Sequence, residues 1–184
     1  MRASIESGAV RPFIGVAIDA PDLQTRIRDY LPPGDRYLGI EGGADRYARF
    51  VIEELKPALD AEYATLVGRE DTATAGFSFG GLAAFYLGSR NPECFGGVGS
   101  LSGGFWASDL TALLASAPAS SLRIYLDSGD DNYAENLVLR DALLARGYAE
   151  GRDLCYVHRE GHTHHPRHFA VGFSSLLRFL FPPI

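Results

Sequence analysis

Sulfur and lysine are nearly absent from this sequence of 184 residues. Its two cysteines, Cys94 and Cys155, lie far apart without C-x-x-C spacing. That excludes a disulfide scaffold and a thiolate metal site, and leaves both as expected core thiols. Lys56 is the single lysine, the arginines are scattered, and 17 basic against 23 acidic residues give a net charge of −6. No basic face is therefore available for a phosphate backbone, and nucleic acid is not an expected partner. Long apolar runs are missing too: residues 176–181 are interrupted by Arg178 and fall far short of the ~20 residues that span a bilayer. No membrane association is expected. The opening MRASIESGAVRP lacks the apolar stretch of a secretory signal, so a cytoplasmic location is expected if that N-terminus is genuine. Internal repeats, low-complexity tracts and linkers are also absent, and the length suits one domain over residues 1–184.

What is present is an alternation of short apolar runs and amphipathic stretches. Residues 12–18 (PFIGVAI) read as a buried strand and residues 30–45, with two prolines and several glycines, as a long loop. Tyr47, Phe50, Val51, Leu55, Leu59 and Tyr63 recur at helical spacing, with Glu53, Glu54 and Asp60 on a solvated face. Strands are expected at 72–77, 97–101, 122–126 and 153–157, and helices at 80–90, 109–115, 134–146 and 169–181. The helix at 80–90 stops before Asn91-Pro92, and the one at 134–146 stops at Gly147. Five strands alternating with helices imply a parallel sheet covered on both faces.

The sharpest chemical signal is Gly76-Phe77-Ser78-Phe79-Gly80, a G-x-S-x-G pentapeptide where a strand should end and a helix begin. Such a turn projects the serine hydroxyl from the carboxyl edge of a parallel sheet, and the glycines remove side chains that would collide. A serine hydroxyl needs a base. All five histidines, His158, His162, His164, His165 and His168, fall just beyond the last strand, in a loop that opens at the same edge. A metal site using His164 and His168 competes with this reading, but Pro166 and the lack of a nearby carboxylate ligand count against it. The imidazole in turn needs a carboxylate. Asp127 ends the strand LRIYL and suits a loop-supporting role, whereas Asp130 and Asp131 lie in the loop itself. The chain order is then Ser, Asp, His. Phe105 and Trp106 would lie near the same edge, as lining for a substrate pocket or as loop aromatics packed on the core. Tyr133 carries the same ambiguity.

TATAGFSFGGLAAFYLGSRNPECFGGVGSLSGGFW resembles the nucleophile region of the esterase D-like, enterochelin esterase-like family of α/β-hydrolases. YLDSGDDNYAENLVLRDALLARGY is similar to that family's acid loop and the helix after it, and REGHTHHPRHF to its G-x-x-H histidine loop. The resemblance runs from Pro12 to Phe181 and implies a three-layer α/β-hydrolase fold with a mostly parallel sheet, N-terminally truncated to about five strands. It selects His164 as base and the Phe79 N–H as oxyanion donor. A gapless match puts Asn132 at the acid position, and a one-residue shift restores Asp131. The strand that in relatives precedes PFIGVAI, with the loop supplying a second oxyanion donor, has no counterpart here.

The expected function is a serine hydrolase cleaving small-molecule carboxylic esters through Ser78, His164 and Asp131, with Trp106 lining the substrate and no cofactor or metal. The alternative is a non-catalytic hydrolase-fold fragment whose oxyanion hole is incomplete. Residues 12–18 are expected either to pair with residues 72–77 or to stand off across a gap with exposed apolar edges, leaving this form weakly active and prone to aggregate.

Overall fold

The computed structural model describes residues 5–115 and 122–183. The chain reaches the sheet late. After Arg11, whose N–H donates to the Phe181 carbonyl and whose guanidinium pairs with Asp71, Phe13 stacks on Phe181 at 5.5 Å between ring centroids. Helix α1 (Leu23–Tyr30) is capped by Asp22, which accepts the Thr25 N–H at 2.7 Å. A hairpin of two-residue strands follows, β1 (Arg36–Tyr37) and β2 (Ile40–Glu41). Its central residues, Leu38 and Gly39, both have positive φ, 50° and 78°, as a type I′ turn demands.

The long amphipathic stretch forms α2 (Ala44–Arg49), a π-helical turn (Phe50–Leu55) and α3 (Lys56–Glu62). Pro57 has no N–H to donate back to Glu53, and the ladder widens just before it. Beyond Glu62, the main sheet holds β3 (Ala73–Phe77), β4 (Gly97–Leu101), β5 (Arg123–Ser128) and β6 (Leu154–His158), all parallel and ordered as in sequence. The crossovers are α4 (Phe79–Arg90), α5 (Leu110–Ala115) and α6 (Tyr133–Ala145), and α7 (Pro166–Leu180) closes the described chain.

Two cores sandwich the sheet. On one face Leu82, Phe85, Leu87, Val98, Ile124, Leu126 and Leu139 pack with Ile27 and Leu31 of α1. On the other, Leu176, Leu177 and Leu180 of α7 pack with Leu101, Tyr125 and Val10. The close approach of α7 depends on Gly99, where a Cβ would overlap the Leu176 side chain. This is the three-layer α/β-hydrolase arrangement, with four parallel strands in its main sheet. Cys94 and Cys155 are unpaired, and each packs half-buried against one core. Among the described residues no helix is long and apolar enough to cross a membrane.

One expected strand does not form. Residues 12–18 make no ladder, and Ile14 and Val16 are 53% and 46% exposed. A groove of about 790 Å³ separates this segment from β3; Val16, Ile18, Tyr47 and Leu59 line it together with Ala75 and Phe77. Apolarity calls for burial but does not supply the neighbour, and among the described residues β3, at the end of the sheet, pairs with β4 alone.

Candidate active site

Ser78 sits between β3 and α4 with φ 62° and ψ −127°, a conformation that L-residues rarely occupy and that neighbours must hold. Here they do. The Ser78 N–H donates to the Leu101 carbonyl at 3.0 Å, and the Ser78 carbonyl accepts from Gly81, Leu82 and Gly104 at 2.9, 3.2 and 3.0 Å. The turn closes only because position 76 is glycine, since a Cβ there would overlap the Gly80 backbone. Phe79 opens α4, and the first N–H groups of a helix lack intrahelical acceptors. Gly104 lies against that N–H, its Cβ direction 3.4 Å from the Phe79 nitrogen.

His164 comes to the same edge. Its ring stacks on Phe77, the residue before Ser78, with centroids 4.5 Å apart and planes at 27°. The other histidines are engaged elsewhere. His158 bonds Asp130 at 2.8 Å, the rings of His162 and His168 stack at 4.1 Å, and His165 caps α7 through the Arg167 N–H. The rings of His164 and His168 thus have different neighbours, Phe77 for the one and His162 with Thr163 for the other. Among the described residues, no group of three or more His, Cys, Asp or Glu side chains could hold a metal ion.

The acid loop splits its carboxylates between two tasks. Asp131 accepts the backbone N–H of His164, not a ring nitrogen. Asp130 accepts the Gly161 N–H at 2.8 Å and pairs with His158, and these bonds, the Gly161 one foremost, hold its pKa below the ordinary carboxylate value. Asn132 is buried and accepts the Gly129 N–H through its side chain at 3.2 Å. Among the described residues there is no hydrogen bond between Ser78 Oγ and His164, nor between the His164 ring and a carboxylate.

Behind the site lies an ion pair not foreseen in the sequence. Asp127 is only 4% exposed; Arg159 Nε donates to its Oδ2 at 3.0 Å, and the Ser102 N–H to its Oδ1 at 3.1 Å. Arg159 also donates to the Tyr125 hydroxyl and to Ser175. Burial pushes the Asp127 carboxyl up despite the guanidinium, and raises the Tyr125 hydroxyl to about 12. Ser102, at φ 45°, thus starts a loop whose Gly104 holds the Ser78 carbonyl. Phe105 is fully buried, whereas Trp106 is half-exposed, so the two aromatics of that loop part company. Tyr133 packs on His158 at 4.3 Å.

A parallel sheet whose strand-to-helix turn carries a strained serine, with a histidine loop at the same edge, defines a chain of the α/β-hydrolase class. More particularly, it belongs to the family described as "Putative esterase", whose model matches residues 1–175. Among solved structures, the enterochelin esterase of Shigella flexneri superposes with a TM-score of 0.79 at 27% identity, covering 98% of this chain and 46% of that one. The iron(III) enterobactin esterase of Escherichia coli K12 is 38% identical over 96 residues, which are 52% of this chain and 21% of that protein. An endo-1,4-β-xylanase/feruloyl esterase of Xylanibacter ruminicola is 32% identical over 151 residues, or 80% of this chain and 19% of that one. The chain thus spans less than half the length of each of these relatives.

Proposed function

We propose that this chain hydrolyses small-molecule carboxylic esters with Ser78 as nucleophile, His164 as general base and Asp131 as the carboxylate that orients it. The observation that carries the reading is the Ser78 backbone, held at φ 62° by hydrogen bonds from both sides of the turn. Strain of this kind is retained where the hydroxyl has work to do. Ser78 Oγ bonds to the ester carbon as its proton passes to His164, and the carbonyl oxygen takes the negative charge beside the Phe79 N–H. As the tetrahedral intermediate collapses, the C–O bond to the alcohol breaks and His164 returns the proton to it. Water then repeats the sequence on the acyl-serine and frees the acid. Asp131 already holds the His164 main chain, and both residues are exposed, which supports Asp131 as the carboxylate partner of the His164 ring. The relatives named as esterases act on ester bonds, which supports the reaction class.

A second reading, a hydrolase fold without catalysis, draws on the groove beside β3 and on Phe79 as the one oxyanion donor identified. One experiment separates the two. Ester hydrolysis measured with wild type and Ser78→Ala, alongside fluorophosphonate labelling, should show labelling and a loss of about 10³-fold or more in the variant. A wild type that neither turns over esters nor takes the label at Ser78 would establish the second reading.

A further inference from the structure

Phe77, Leu101, Asp127 and Val157 stand in register across β3, β4, β5 and β6, and the loops that carry the site begin just past this row. There the ladder between β4 and β5 runs out with the bond from the Ser102 N–H to the Asp127 carbonyl, and the Asp127 side chain continues the tie. Its Oδ1 shares the same Ser102 N–H, at the start of the loop whose Gly104 N–H holds the Ser78 carbonyl. Its Oδ2 takes the Nε of Arg159, two residues past Val157. Helix α7 closes over this carboxylate so tightly that a Cβ at Gly172 would overlap its Oδ2.

Arg159 is in turn the root of the histidine loop. Its N–H donates to the Ser128 carbonyl at 2.9 Å, and its carbonyl accepts the His162 N–H at 3.0 Å. Its guanidinium reaches the Tyr125 hydroxyl at 2.8 Å and Ser175 at 3.2 Å as well as Asp127, so the root is fixed to β5 and α7 together. Asp130 and Asp131 hold the outer half of the loop, and Asn136 holds the Gly103 carbonyl on the serine side. Stability alone does not call for charges at such a place, because apolar residues of similar volume often serve as well as a buried ion pair. Apolar residues cannot, however, hold two loops by directional bonds from the two oxygens of one carboxylate.

We infer that Asp127 and Arg159 are positioning residues that set His164 against Ser78, by tying the root of the histidine loop to the loop behind the serine. This rests on the Ser78 reading above. Neither residue touches the ester; both act through the backbone that carries the reacting groups.

The probes are 4-nitrophenyl acetate and a fluorophosphonate, with amide hydrogen exchange as a readout that needs no turnover. Asp127→Asn and Arg159→Met should each lower kcat about 10²-fold with KM within about twofold of wild type, since misplacing reacting groups by about 1 Å costs that much. The rate of fluorophosphonate labelling should fall in step. Arg159→Met/Asp127→Asn, which has no orphaned charge, should regain stability in urea but not kcat, whereas a merely structural pair would return both together. In exchange, Arg159→Met should speed the Gly104 amide and Asp127→Asn the His162 amide, each about tenfold relative to Ile124, whose N–H donates to Asp153 within the sheet and reports global opening. Circular dichroism checks folding; if Arg159→Met does not fold, the double variant carries the kcat comparison and Asp127→Asn the exchange. A double variant whose kcat recovers with its stability overturns the positioning role. So does exchange confined to residues 102–104 in Asp127→Asn and to the histidine loop in Arg159→Met. A wild type that neither turns over the ester nor takes the label overturns the Ser78 reading instead, and the exchange comparison still decides whether the two loops are tied.

Discussion

Replacing Arg159 by methionine tests the buried pair behind the Ser78 turn. Methionine keeps much of the stem's volume and removes the donors that reach Asp127, Tyr125 and Ser175. Asp127 is then left 4% exposed with the Ser102 N–H as its remaining partner among those described. Removing one member of a buried pair costs about 3–5 kcal/mol, and the orphaned Asp127, whose side chain is 5% exposed, regains little hydration to offset that, so about 3 kcal/mol is expected. The loss should depend on pH. Burial already holds the Asp127 carboxyl above its ordinary value of 3.8, and without Arg159 it rises further. An acid whose folded pKa is raised binds more protons folded than unfolded, so its contribution is intact below the unfolded value and is lost as pH rises through the folded one. Urea unfolding at about pH 5 and pH 8 should show Arg159→Met losing more stability at the higher pH. Arg159→Met/Asp127→Asn should recover most of it, because the orphaned charge is gone. A deficit below about 1 kcal/mol at both pH values, or a double variant no better than the single one, would refute the reasoning.

Gly76→Ala should be more damaging than an ordinary glycine substitution in a strand, because the backbone of Gly80 cannot yield; a loss above about 3 kcal/mol, or no folded protein, is expected in urea or thermal melts. Asp130→Asn should loosen the histidine loop near neutral pH, read as faster hydrogen exchange at the Gly161 amide. In wild type the same clamp should hold above the ordinary carboxylate range and fail as pH falls through the depressed pKa of Asp130, below about 4. Unchanged Gly161 protection in Asp130→Asn would remove that role.

The strands that alternate with helices were legible because each is a short apolar run bounded by turn residues, and β3, β4, β5 and β6 fall within a residue or two of the expected spans. The strained turn at Ser78 was legible as well, because its glycines are a steric requirement written into the sequence. Residues 12–18 misled because a run such as PFIGVAI states a preference for burial without naming a neighbour. The hairpin stayed hidden because its I′ turn uses Leu38 at φ 50°, where Asn or Asp would have announced it. Pairings across long sequence separations were equally invisible: Asp127 read as loop support, but nothing in the sequence matched it to Arg159, and nothing joined Asp35 to Ser108.

With β3 at the end of its sheet, Ser78 rides on a cantilever. Its strand is clamped along one side by β4, and the turn's bonds to Leu101 and Gly104 pull from that same side. Across the strand is the groove that parts it from residues 12–18. The stiffness of the hydroxyl is therefore set by the stretch from Leu101 to Gly104 together with the first turn of α4, whose Gly81 and Leu82 N–H groups bond the Ser78 carbonyl, and softening in either passes to the hydroxyl.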